Sequence, residues 1–298
     1  MASARKTRPP LTDTRRTWAA SRSHDGRMRG TRLALPAGVA DRYAHKLKRL
    51  AAQMTAETRK AIEDLYAHPD VVEYFKGFAQ DVSPAAQARI LTNKLQSRFD
   101  QLFNQSAKED AQSMVDQAND ASAADVARSL KELSGGLSLE TDIITNQMHE
   151  FMSAMVANNV SLIKSIPSEY FRDVQQAILS SIADGKGLAD LVPFFEKQEG
   201  QQQRRAENIA TDQTHKAYNG LNKGRMQQNG IKKFEWVHSG GGLHPRLLHL
   251  DQLNGKVFSF DKLPIIEEGT GERGIPGQAI NCRCTMVPVI EFDDGKPT

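Results

Sequence analysis

The chain holds two cysteines, Cys282 and Cys284, one residue apart in the stretch AINCRCTMV. In an extended segment the side chains of residues i and i+2 leave the same face, so both sulfurs can point at one partner. His238, His244 and His249 lie about thirty to forty residues upstream, and Asp251 follows two residues after the last of them. Three readings of this set stand side by side. Thiolate and imidazole are the ligands of tetrahedral zinc. A Cys–His pair is also the core of a nucleophilic enzyme, with Asp251 as the nearest candidate base. Cysteine is among the most buried residue types, so packing alone is the third. The spacing does not choose among them. CxC is a rarer ligand pattern than CxxC, and no nucleophile-elbow motif accompanies the pair.

Other chemistry is harder to find. There is no Walker A motif and no HExxH, and the glycines at 240–242 follow a strand pattern without opening a helix, so they form no dinucleotide loop. Arg204, Arg205, Glu207, Asp212, His215 and Lys216 sit at helical spacing in RRAENIATDQTHKA. They read as a solvated charged face with i,i+3 and i,i+4 pairs.

Net charge is +3 but unevenly placed. Residues 1–33 carry nine cations, Arg5, Lys6, Arg8, Arg15, Arg16, Arg22, Arg27, Arg29 and Arg32, against Asp13 and Asp25, a surplus of seven. The other 265 residues therefore sum to −4. Ser, Thr, Gly and Pro are frequent in the basic stretch, which is expected to be a disordered arm. Such arms bind polyanions by releasing counterions, and Trp18 could stack on bases. No apolar h-region follows the arginines, so no signal peptide is expected. No apolar run is long enough to span a bilayer. With so few cysteines, synthesis in a reducing cytoplasm is expected.

The elements that must position these groups change in kind along the chain. Val39, Tyr43, Leu47, Leu50, Met54, Ile62 and Leu65 fall on one helical face that stops at HPD, residues 68–70. A second helix runs through Ile90, Leu95, Phe99 and Phe103 into a weakly amphipathic stretch near residues 106–128, broken by Gly135 and Gly136. A third spans residues 142–164 and is expected to end before Pro167, and Tyr170, Val174, Ile178 and Ile182 mark a fourth. Residues 199–229 read as one long helix closed by Gly230. Beyond it the period turns to two, with strands expected at 231–237, 254–260 and from 282 onward. The fold class is therefore mainly α, with long helices in an N-terminal body and a C-terminal α+β module carrying a small antiparallel sheet.

Four segments then become recognisable: LIKSIPSEYF (162–171), RRAENIATDQTHKAYNGLNKGRMQQNGIKKFEWVHSGGGLHPRLLH (204–249), NGKVF (254–258) and GIPGQAINCRCTMVPVI (274–290). Occurring in register, they resemble the phage head-morphogenesis, or minor head, proteins of the Mu F type. Trp236, Arg246, His249, Gly255, Asn281, Cys282 and Cys284 carry that resemblance. Thr211 stands where many members have Arg, and glycines stand where many have Asp before the R–x–x–H step. The resemblance does not cover residues 1–33, which the charge pattern makes a basic arm; it implies a helical body for portal or capsid contact over 34–160 and a Mu-F-type module over 161–298. It implies a non-enzymatic, low-copy virion component that partners the portal, the major capsid or scaffold proteins and double-stranded DNA without sequence preference. No membrane is involved, and the host cytoplasm is the place of assembly. The rival expectation is a metal-dependent or Cys–His nuclease or toxin-like effector delivered with the DNA. Within the resemblance the thiols become structural. One zinc ion on His249, Cys282 and Cys284, with His244 or His238 as fourth ligand, would clip the last strand in place. A disulfide across one intervening residue is not expected.

Overall fold

A computed structural model of the chain describes residues 26–68, 84–136, 138–184, 188–240, 245–293 and 296–297. Most of them belong to four long helices: α1 (Ala37–Tyr66), α2 (Pro84–Leu133), α3 (Asn146–Ala183) and α4 (Leu188–Gln228). The apolar face read along α1 is the buried one, with Val39, Tyr43, Leu47, Met54 and Ile62 all inside. In α2 the pattern fades near residues 106–128 because its buried positions are small, among them Ala107, Ala111, Ala118 and Ser122.

Two helix boundaries differ from expectation. α3 does not stop before Pro167 but runs through it. Proline removes one backbone donor and one i→i−4 bond. Here Ile163, Ile166, Tyr170 and Phe171, on both sides of it, are fully buried, and their packing keeps the axis continuous. α4 begins at Leu188, well before residue 199, and contains Pro193. Its end is as expected. Gly230 adopts φ +77, and the Ile231 and Gly230 amides close back onto the Met226 and Gln227 carbonyls at 2.9 and 3.0 Å.

The chain folds as two compact units. One comprises Met1–Val39, Val115–Ser153 and Asp212–Thr298, the other Ala40–Met114 and Ala154–Thr211. The expected boundary at residue 160 is therefore not a division of the fold, because α2, α3 and α4 each supply residues to both units. The helical unit has an apolar core of Phe99, Phe103, Ile163, Tyr170, Phe171 and Val174. Phe99 and Phe171 stack at 6.1 Å, and the Tyr43 hydroxyl donates to Asn159 Oδ1 at 3.1 Å.

The other unit contains the sheet. Its strands are β1 (Arg27–Arg29), β2 (Lys233–Val237), β3 (Val257–Ser259), β4 (Ile265–Glu267), β5 (Glu272–Arg273), β6 (Thr285–Asp293) and β7 (Lys296–Pro297). The main sheet has the order β1-β6-β2-β3, with β7 paired to the end of β6, and β4 and β5 form a separate hairpin. All its pairings are antiparallel. β6 is central and buried from Thr285 to Ile290, which is why its sequence reads as a continuous apolar run rather than an alternation.

β1 corrects the reading of residues 1–33 as one arm. Met28 and Leu33 are buried, and Arg27–Arg29 pairs with Val289–Glu291. Arg27 Nε donates to Glu291 and Arg29 Nε to Glu235, each at 2.6 Å, so these two cations answer carboxylates within the sheet. Arg32 is exposed. Arg5, Lys6, Arg8, Arg15, Arg16 and Arg22 lie outside the described residues.

Candidate metal centre

The two cysteines sit in a turn that feeds the central strand. β2 and β6 pair with Trp236 opposite Met286 and Val237 opposite Thr285, which brings Cys284, the residue before β6, beside the end of β2. His249 arrives from a π-helical turn, Leu248–Leu253, closed by the Asn254 amide on the His249 carbonyl at 3.1 Å. Turns of this width are rare and concentrate at functional sites.

There the three side chains converge. His249 Nδ1 lies 3.5 Å from Cys282 Sγ and 3.7 Å from Cys284 Sγ, and the three ligand atoms all fall within 4.8 Å of one another. All three residues are 2–3% exposed. The other ring nitrogen, Nε2, is 2.9 Å from the Ile266 carbonyl. A carbonyl can only accept, so Nε2 carries a proton. Trp236 packs edge-on against the imidazole at 5.0 Å.

One backbone amide also reaches the sulfurs. The Cys284 amide approaches Cys282 Sγ at 3.4 Å. Among the described residues, the indole N–H of Trp236 is buried without a hydrogen-bond partner. The thiol proton of Cys284, then His249 and the Cys284 amide, outweigh burial and lower the pKa of Cys282. Cys284 moves the opposite way, because Cys282 beside it and burial both resist a second negative charge. Burial works against a charged His249, yet its bonds to Cys282 and to the Ile266 carbonyl prevail and raise it. Chemically, the cluster can hold a thiolate beside an imidazolium, or two thiolates and a neutral imidazole around a cation.

α4 braces the turn from behind. Asp212 Oδ1 accepts the Asn281 amide at 2.7 Å, where Asn281 adopts φ +56. His215 Nδ1 is 3.3 Å from the Cys282 carbonyl, and Asn219 Nδ2 donates to the Cys284 carbonyl at 3.5 Å. Burial lowers the pKa of His215. Farther along, the fully buried Arg225 donates to the Thr141 carbonyl, Ser122 Oγ and Asn119 Oδ1 at 2.7, 3.1 and 2.6 Å, and burial depresses its guanidinium to about 10.

These bonds correct the reading of this helix as a solvated face. Arg204 and Glu207 are exposed, and Arg205 pairs with Glu169, but Asp212 and His215 are buried against the cysteine turn, and Lys216 Nζ pairs with Asp212 at 2.7 Å. Sequence reasoning does not single out Asp212, His215 and Asn219 as one group. Their i, i+3, i+7 spacing is the available signal, because it puts all three on one face.

Each residue of the resemblance has a place around the cluster. Arg246 donates to the Ile280 carbonyl at 2.9 Å, and the Gly255 amide donates to the Trp236 carbonyl at 2.8 Å. His238 is not in the group; its Nδ1 accepts the Gly240 amide at 3.0 Å. Asp251 is exposed and also outside it. His244 lies outside the described residues. Among the described residues, no fourth His, Cys, Asp or Glu joins the cluster.

A protein of Haemophilus influenzae described as an uncharacterized protein is 27% identical to this chain over 256 residues, 85% of this chain and 53% of that protein. The chain thus spans about half the length of the curated relative it matches. No solved structure matches. Residues 172–287 match the family described as Phage Mu protein F like protein. That segment contains Trp236, Arg246, His249, Gly255, Asn281, both cysteines and the bracing face of α4, so the resemblance read from the residues is a family match over residues 172–287.

Proposed function

We propose that the chain is a minor component of a tailed-phage head, associated with the portal and acting in head assembly and in handling the packaged DNA. The observation that carries this reading is the coincidence of the matched segment with one braced structure. His249 and Arg246 link the π-turn region to the cysteine turn, Asn281 ties that turn to α4, and Gly255 bonds the Trp236 carbonyl of β2. The major capsid or scaffold proteins are the other partners in this reading. No helix among the described residues is long and apolar enough to cross a membrane. A non-enzymatic role is supported by the burial of His249, Cys282 and Cys284, which leaves little of them for a substrate to reach.

DNA contact is assigned to the cations that precede β1. Arg5, Lys6, Arg8, Arg15, Arg16 and Arg22 supply positive charge without a fixed pattern of base readers, which suits phosphate contact without sequence preference. Sedimentation of lysates in which the phage assembles tests the reading. The protein should travel with procapsids and be recovered with tagged portal protein. Its confinement to the top of the gradient, with none on the portal, would overturn the assignment.

A further inference from the structure

Independently of any role in a phage head, the cluster behind β6 has the geometry of a metal site. We propose that Cys282 Sγ, Cys284 Sγ and His249 Nδ1 bind one zinc ion, which ties the cysteine turn to the π-helical turn and so locks β6 into the sheet.

The first argument is metric. Zinc–sulfur bonds of about 2.3 Å and zinc–nitrogen bonds of about 2.0–2.1 Å at a tetrahedral angle place sulfur and nitrogen about 3.6 Å apart. The two observed separations are 3.5 and 3.7 Å. The second is the tautomer. Metal-bound histidines donate their other ring N–H to a carbonyl or carboxylate. With Nε2–H on the Ile266 carbonyl, the lone pair of a neutral imidazole faces the two sulfurs.

The third argument is what surrounds the sulfurs. A thiol is a weak acceptor, yet the Cys284 amide approaches Cys282 Sγ at 3.4 Å, and the buried Trp236 indole closes the imidazole side at 5.0 Å. A thiolate accepts such an amide more strongly than a thiol does, and two thiolates this buried need a shared cation to balance their charge. The fourth argument is support. Asp212, His215 and Asn219 hold the backbone of the turn at Asn281, Cys282 and Cys284, the kind of outer support that fixes ligand orientation. Two thiolates with one imidazole select zinc over hard cations such as magnesium or calcium. Zinc binding displaces the protons held by the thiols; three buried protein ligands tie the two turns together, and a water completes the tetrahedron.

The test uses the whole untagged 298-residue chain. Elemental analysis should find about one equivalent of zinc, and replacing it with cobalt(II) should give the intense thiolate charge-transfer bands of a tetrahedral site. Removing zinc with a chelator should lower the melting temperature, and adding zinc back should restore it. His249→Ala should weaken zinc binding by more than the about 10–100-fold typical of an outer-shell change, while His238→Ala should leave it unaltered. If the cysteine variants do not fold, the stripped parent chain still decides the matter through cobalt titration. Less than about a tenth of an equivalent of zinc together with no cobalt–thiolate band would overturn the proposal. So would a full equivalent retained by both Cys284→Ser and His249→Ala.

Discussion

The two halves of α4 have similar polar composition and opposite surroundings. In the helical unit, Arg204 and Glu207 face solvent and Arg205 pairs with a partly solvated Glu169. In the sheet unit, Asp212, His215, Asn219 and Arg225 are buried and bonded to backbone of the cysteine turn and of the α2–α3 connection. The units differ in the same way. The helical unit rests mainly on apolar packing around Phe99, Phe103 and Phe171, with separate buried pairs such as Tyr43–Asn159, whereas the sheet unit carries a buried polar network that specifies how one turn is held. Apolar packing tolerates volume-conserving change. A buried network does not, because each broken bond leaves a desolvated group behind.

Substitutions can break this contrast. Phe171→Ala should have the largest effect, about 3–5 kcal/mol lost from the helical unit, and Phe171→Leu should recover much of it. Urea titration followed by circular dichroism reads both. Arg225→Lys should cost about 2–3 kcal/mol even though the charge is kept, because an ammonium cannot span three acceptors set for a guanidinium. If Arg225→Lys proves neutral while Phe171→Leu is severe, the contrast is reversed. Gly277→Ala should cost about 1–3 kcal/mol. Gly277 has φ +82, and a Cβ there would stand 2.3 Å from Asn219 Nδ2. The same melts should show it affecting the sheet unit.

How much of this was legible follows the same division. Apolar stripes declare themselves, so Val39, Tyr43, Leu47, Met54 and Ile62 predicted α1 and its buried face. Pro167 misled because the packing that overrides it comes from residues distant in sequence. β1 was hidden for a related reason. Arg-Met-Arg looks like part of a basic tail, and only its pairing with β6, some 260 residues later, makes it a strand. At the site, the residue types named the convergence of His249 with Cys282 and Cys284. The bracing by α4 was not legible, because polar residues at helical spacing look alike whether water or a turn lies opposite them.

Glu291 gives the smallest predicted effect, and one that depends on pH. The hydrogen bond from Lys233, reinforced by that from Arg27, holds its carboxyl below the usual range despite burial. A carboxylate with a lowered folded-state pKa adds stability that is complete above its unfolded value, about 4.3, and is lost as pH falls through the folded value. Glu291→Gln should therefore cost under about 1 kcal/mol at pH 7 and nothing at the acid end, giving a flatter stability curve below pH of about 4.5. A parallel offset between the two curves would contradict the assignment.

The amino-terminal cations sharpen the functional side of the account. Removal of residues 1–24 spares β1, and it should weaken double-stranded DNA binding uniformly across sequences. If about five of the six cations meet phosphates, the slope of log K against log salt should fall by about four to five units. An unchanged slope would assign the segment to something other than DNA.

The central claim, that this chain is a minor phage-head protein, is met most directly by quantitative mass spectrometry of washed procapsids and mature virions from the phage that encodes it. The protein should be present in both, in far fewer copies than the major capsid protein and in constant ratio to the portal. Its absence from both particles would contradict the account.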